Sequence, residues 1–89
     1  MEQSEFARIL ASEEFPEAVT VTREPNGALG EHRHPFEAKA LILEGELRIR
    51  TADAERVYKP GEVFHLALNE PHSESYGPLG VTYLVGRKT

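Results

Sequence analysis

After residue 18, apolar and polar positions alternate with a period near two, and that period predicts strands. The run Glu46-Leu47-Arg48-Ile49-Arg50-Thr51 is the clearest case, with apolar residues at every second place as in a strand with one wet face. Ala18-Val19-Thr20-Val21-Thr22 is β-branched and reads as another. Leu29 to His34 and Lys39 to Leu43 read as extended segments on either side of Pro35. Arg56 to Lys59 is a short strand ended by Pro60-Gly61, Val63 to Leu68 is mostly apolar on both faces, and His72 to Tyr76 and Val81 to Val85 follow. Pro25-Asn26-Gly27, Asn69-Glu70-Pro71 and Gly77-Pro78-Leu79-Gly80 carry turn chemistry, and Glu44-Gly45 is expected to reverse the chain. Residues 4–13 depart from the period: Phe6, Ile9 and Leu10 recur at helical spacing behind a candidate N-cap, Ser4, until Phe15-Pro16 ends the helix. The tail Gly86-Arg87-Lys88-Thr89 is expected to fray. About eight short strands with one short helix predict an all-β fold, an antiparallel sandwich or barrel.

Composition narrows the function. At 89 residues the chain is expected to form one domain, 1–89, with a small core, so self-association as a homodimer would add burial. A formal net charge of −5 offers no basic footprint for nucleic acid. No apolar run reaches membrane-spanning length and the first residues are acidic, so a cytoplasmic protein with no membrane partner is expected. There are no cysteines, which leaves nitrogen and oxygen as the donors for any metal.

The candidate chemistry lies in histidines. His32 and His34 stand two apart, so on a strand they leave the same face and can share one ion. A third donor is needed, and His72, after the turn at Pro71, is the candidate. The stretch from Gly27 to Tyr76 resembles the cupin superfamily. The first cupin motif runs glycine, five residues, His-x-His, three or four residues, glutamate, six residues, glycine. Here His32, His34 and Gly45 fit, Gly27 falls one place late, and the glutamate position holds Ala38. In the second motif Gly61 and His72 fit, while Ala67, Asn69 and Tyr76 occupy its other positions. Fifteen residues separate Gly45 from Gly61, and Leu43-Glu44-Gly45-Glu46 and Pro71-His72-Ser73 are phrases typical of the family.

The resemblance implies a small β-barrel of jelly-roll type with a divalent metal ion inside it on His32, His34 and His72. Zinc, iron(II), nickel, manganese and copper are all compatible with imidazole. With the motif glutamate replaced, water is expected to complete the site. Glu37 points to the opposite face, and Glu74, which shares the parity of His72, is the better substitute. Phe36, Ala38, Ala40, Glu74 and Tyr76 are expected to shape a pocket for a small-molecule ligand or substrate. The opposing expectation is that the metal was lost with the glutamate and that Phe36 with Tyr76 or Tyr83 fills the space as core. His65 is expected to be a hydrogen-bonded structural residue, and Lys39, Arg48 and Arg50 to face solvent or a subunit contact. The implied functions are a metal-dependent oxygenase, a non-catalytic small-molecule-binding or sensing module, and a sugar isomerase or epimerase ranked third. The catalytic residues are left unassigned.

Overall fold

A computed structural model describes residues 1–89 as one helix followed by six antiparallel strands. These are α1 (Gln3–Ser12), β1 (Val19–Arg23), β2 (Ala28–His32), β3 (Glu37–Arg50), β4 (Glu55–Tyr58), β5 (Val63–Leu66) and β6 (His72–Lys88). The long strands β3 and β6 pair along nearly their whole length and form the spine. At its helix-covered end the spine is flanked by β1 on β6 (Val19 opposite Val85) and β5 on β3 (Ala40 opposite Phe64). At its other end it is flanked by β2 on β6 (Ala28 opposite Ser75) and β4 on β3 (Ile49 opposite Arg56). Between the ends the register slips twice, from Ile42 to Glu44 and from Gly45 to Leu47, and the spine bends there. The two four-stranded halves thus face each other as a small barrel.

The bend corrects the expected strand count. Glu44-Gly45 does not reverse the chain, and Gly77-Pro78-Leu79-Gly80 does not separate two strands; both segments run on through a bulge. Gly45 and Gly80 each take a left-handed conformation, at φ +73° and +74°. They also pack face to face, so that a Cβ on Gly45 would run into the carbonyl of Gly80. Glycine here permits close approach of two bent strands. Asn26, at φ 57°, makes the turn predicted at Pro25-Asn26-Gly27.

The bulges also shift which residues face inward. Before the bend Ala38, Ala40 and Ile42 point into the barrel; after it Leu47 and Ile49 do, and they join Phe64, Leu66, Tyr76, Val81, Tyr83 and Val85 in one core. At the helix-covered end β3 is buried on both sides. Leu41 packs outward against Phe6, Leu10 and Phe15, so α1 lies on the outer face of that half. The helix starts at Gln3, and its N-cap is Glu2, two residues before the expected Ser4, with no side-chain capping bond. The terminal amino group instead hydrogen-bonds to the Gly61 carbonyl at 2.9 Å. The tail is not frayed either. β6 continues to Lys88, with Gly86 packed under Leu10 and Phe15 and the Lys88 ammonium donating to the Glu13 carbonyl. Arg48 and Arg50 lie outside the barrel and pair with Glu55, and Lys39 pairs with Glu13 at 2.7 Å. No helix is long and apolar enough to cross a membrane.

Candidate metal centre

The site lies at the end of the barrel away from the Gly45–Gly80 bend. His32 closes β2 and His72 opens β6, and the two are paired across the ladder. His34 follows two residues after His32, just past the strand. The ring centroids are 4.3 Å apart for His32 and His72, 4.8 Å for His34 and His72, and 5.3 Å for His32 and His34. One ring nitrogen from each lies within 4.8 Å of the other two, an arrangement that could hold a metal ion. The three imidazoles drawn together by sequence spacing are therefore together in space.

Their hydrogen bonds fix which nitrogens are free. The Nδ1 of His72 is 2.9 Å from the Glu70 carbonyl and the Nδ1 of His32 is 2.7 Å from the Gly30 carbonyl. A carbonyl can only accept, so each Nδ1 carries the proton and donates, and each Nε2 of the neutral ring keeps a lone pair. His72 is only 1% exposed, and its Nε2 has no hydrogen-bond partner. A buried polar atom without a partner is costly unless something else satisfies it, and a ligated cation would. The residues present fit a divalent metal on this ground. Burial, and then the nearby His72 and His32, hold the His34 imidazole below its ordinary pKa, which keeps it neutral and able to ligate. Phe36 stacks flat on His34, with centroids 4.5 Å apart and planes inclined by 5°.

Glu74 reaches the same centre. Its Oε2 lies 3.4 Å from Nε2 of His72 and 3.9 Å from Nε2 of His32, and its side chain is 8% exposed. Its Oε1 accepts a hydrogen bond from the Tyr76 hydroxyl at 2.9 Å. Burial and the contact with Glu74 push the Tyr76 phenol well above its usual pKa, so it remains a donor. Burial and then Glu74 likewise raise Tyr83. Glu37 points out of the barrel as its parity requires, and accepts from His65 at 2.6 Å.

A cavity of about 190 Å³ opens beside the imidazoles. Its walls include the expected Phe36, Ala38 and Glu74, and also Phe64, Tyr83 and Val85. Two expected wall residues are elsewhere. Ala40 has no exposed surface because it sits one step deeper, between Phe64 and Val85, as core. Tyr76 contributes through its bond to Glu74. Tyr76 and Tyr83 are core, with Phe36 packed against that core, and the cavity remains open beside these rings.

Sequence reasoning missed Arg23 and Arg87, which also line the cavity. Arg87 continues the inward alternation of Tyr83 and Val85, and its guanidinium stands 5.5 Å from the Phe36 centroid. That signal was hidden by treating Gly86 as the end of the strand. Arg23 likewise follows Val21, which packs on the core.

A bent antiparallel barrel with three imidazoles converging at its open end defines a class of small β-barrels able to hold a metal. The chain belongs to the cupin family: the family model described as "Cupin domain" matches residues 19–75. No curated protein matches it by sequence. Among solved structures it is similar to a cupin-2 domain protein of Shewanella frigidimarina, at 19% identity and a TM-score of 0.62, covering 74% of this chain and 63% of that one. The DMSP lyase DddQ of Ruegeria pomeroyi is 23% identical with a TM-score of 0.72, covering 81% of this chain and 37% of that one. KdgF from Halomonas sp. is 17% identical with a TM-score of 0.67, over 83% and 72%. These likenesses concern the fold. The chain spans roughly three fifths of the first relatives it matches, 63% and 60% for two of them.

Proposed function

We propose that the protein binds one divalent metal ion through His32, His34 and His72 and uses it to act on a small molecule in the adjoining cavity, as a small metal-dependent oxygenase would. The observation that carries this reading is the Nε2 of His72, buried, unpartnered and facing two further imidazoles. When bound, the ion would supply Lewis acidity and open positions for substrate and dioxygen.

The chain's own residues do the rest. Glu70 and Gly30 hold the His72 and His32 rings by their carbonyls and so aim each Nε2 lone pair inward. Phe36 fixes the His34 ring by stacking. Ala38, Phe64, Leu66 and Val85 make an apolar wall, and low polarity on that side strengthens the charge interactions at the centre. A homodimer fits the small core, and its test is the mass in solution.

Elemental analysis of protein purified without a histidine tag, alongside His34→Ala, tests the proposal. About one equivalent of metal in the wild type and its loss in the variant are expected. A wild type without metal, and without uptake of added zinc, iron(II), nickel, manganese or copper, would reject it. A second reading, a non-catalytic binding or sensing module, is favoured by the lack of an unengaged base: Glu74 is tied to Tyr76, and the phenols of Tyr76 and of the cavity-lining Tyr83 both have raised pKa values. It predicts a ligand-induced rise in melting temperature with no turnover. Isomerase or epimerase chemistry ranks third, since it needs that missing base.

A further inference from the structure

We propose that Glu74 is a ligand of the same metal ion, so that the carboxylate missing from β3 at Ala38 is supplied from β6, and that Tyr76 is its positioning residue. The inference rests on the metal reading above and deepens it.

Three observations converge. First, the free Nε2 lone pair of His72 and the Oε2 of Glu74 face each other at 3.4 Å. Both are electron-rich and neither has a proton to offer while the ring is neutral, so this buried approach is repulsive unless a second ring proton or a metal ion lies between them. Second, the carboxylate is almost fully buried, yet the groups of opposite charge type within 4.0 Å are only the imidazoles of His32 and His72. No lysine or arginine pairs with it. Arg23 lines the same cavity but makes no direct ion pair with it, so a buried carboxylate here is better satisfied by a cation bound against it, and a metal is the cation this pocket has donors for. Third, its orientation is fixed. The Tyr76 hydroxyl holds Oε1 at 2.9 Å and leaves Oε2 turned toward the two Nε2 atoms.

Ligand atoms bonded at about 2.0–2.2 Å to one ion lie roughly 3–3.6 Å apart at usual angles. The Glu74 contacts of 3.4 and 3.9 Å are close to that spacing already. Strand geometry explains the substitution: residues 72 and 74 leave one face of β6, so one strand end presents both an imidazole and a carboxylate. The fourth donor also lowers the net charge of the filled site by one, and the mixed nitrogen and oxygen set suits iron(II) or manganese better than imidazoles alone.

The test is titration of the intact, metal-free protein with cobalt(II), following the visible absorption of the bound ion and its affinity by chelator competition. Glu74→Gln keeps the shape and an acceptor for Tyr76; it is expected to weaken binding by more than about tenfold and to shift the cobalt spectrum. Tyr76→Phe should weaken binding by about tenfold, and the double variant should be no weaker than Glu74→Gln, since Tyr76 acts through Glu74. Wild-type affinity and spectrum in Glu74→Gln would overturn the inference while His72→Ala, losing cobalt, leaves the metal reading intact. No cobalt binding by the wild type would overturn both. If Glu74→Gln does not fold, as judged by circular dichroism, Tyr76→Phe decides, and an unaltered affinity there overturns the positioning role and the inference with it.

A separate observation carries a second inference: the cavity selects a small carboxylate with an apolar body. The chain has a net charge of −5, yet two arginines, Arg23 and Arg87, line this cavity together with the single carboxylate Glu74 and the apolar Ala38, Leu66 and Val85. Guanidinium groups match carboxylates in shape and charge. Benzoate and isobutyrate, tested on metal-free protein by chemical-shift perturbation against benzamide and isobutyramide, should bind where the amides do not, and Arg87→Gln should weaken them. Equal binding of acids and amides, preference for inorganic phosphate, or no perturbation by either acid would overturn it.

Discussion

Two histidine–carboxylate pairs occupy opposite sides of the barrel wall and behave differently. Outside, His65 and Glu37 meet at 2.6 Å with side chains 48% and 33% exposed, and each satisfies the other. Inside, His72 and Glu74 stand 3.4 Å apart with side chains 0% and 8% exposed, and the facing nitrogen is left without a partner. The outer pair can be wetted and needs nothing more. Its hydrogen bond to His65, the first cause, holds the Glu37 carboxyl below its ordinary pKa. The inner nitrogen is buried without a partner, so its lone pair calls for a third party. Residue type does not make a site; placement without compensation does.

The contrast can be broken from either side. The largest expected effect is from His72→Ala: loss of even an outer-shell partner costs about 10–100-fold in metal affinity, so loss of this ligand should cost more than about 100-fold, read by chelator competition. His34→Ala should lower affinity by a smaller but still large factor, since its ring is half-buried and its place is open to water. Acidification should come next. His34 is held below the usual imidazole value near 6.5, so the unfolded chain takes up a proton that the folded chain resists. Metal-free stability is thus full above about pH 6.5 and falls as pH drops toward the lowered folded value. Chemical denaturation between those limits checks the sign, and His34→Phe should flatten the slope. The smallest effect belongs to the outer pair. Glu37→Gln and His65→Ala should leave metal affinity unchanged and the melting temperature nearly so, as exposed ion pairs contribute little.

The barrel was legible because the period of two is local and the glycines and prolines punctuate it. What was not legible was which punctuation ends a strand. Gly45 and Gly80 look like turn residues in sequence, but each supplies the left-handed kink of a continuous strand, and only the partner strand reveals it. Gly45→Ala should therefore destabilise the fold by about 2 kcal/mol or more, from backbone strain and the collision with Gly80. The three imidazoles were legible because spacing and turn position carry them. Glu74 was legible only in parity, since reach depends on how far β6 overlaps β2. Arg87 was lost because a tail is assumed to fray, whereas Gly86 here is clamped by Leu10 and Phe15.

The most direct measurement is a crystal structure of the protein loaded with cobalt or zinc, with anomalous diffraction collected at the metal edge. One strong peak bonded to ring nitrogens of His32, His34 and His72, with Glu74 Oε2 alongside, is expected. A barrel with no peak there, with His72 Nε2 hydrogen-bonded to a protein group or water instead, would contradict it.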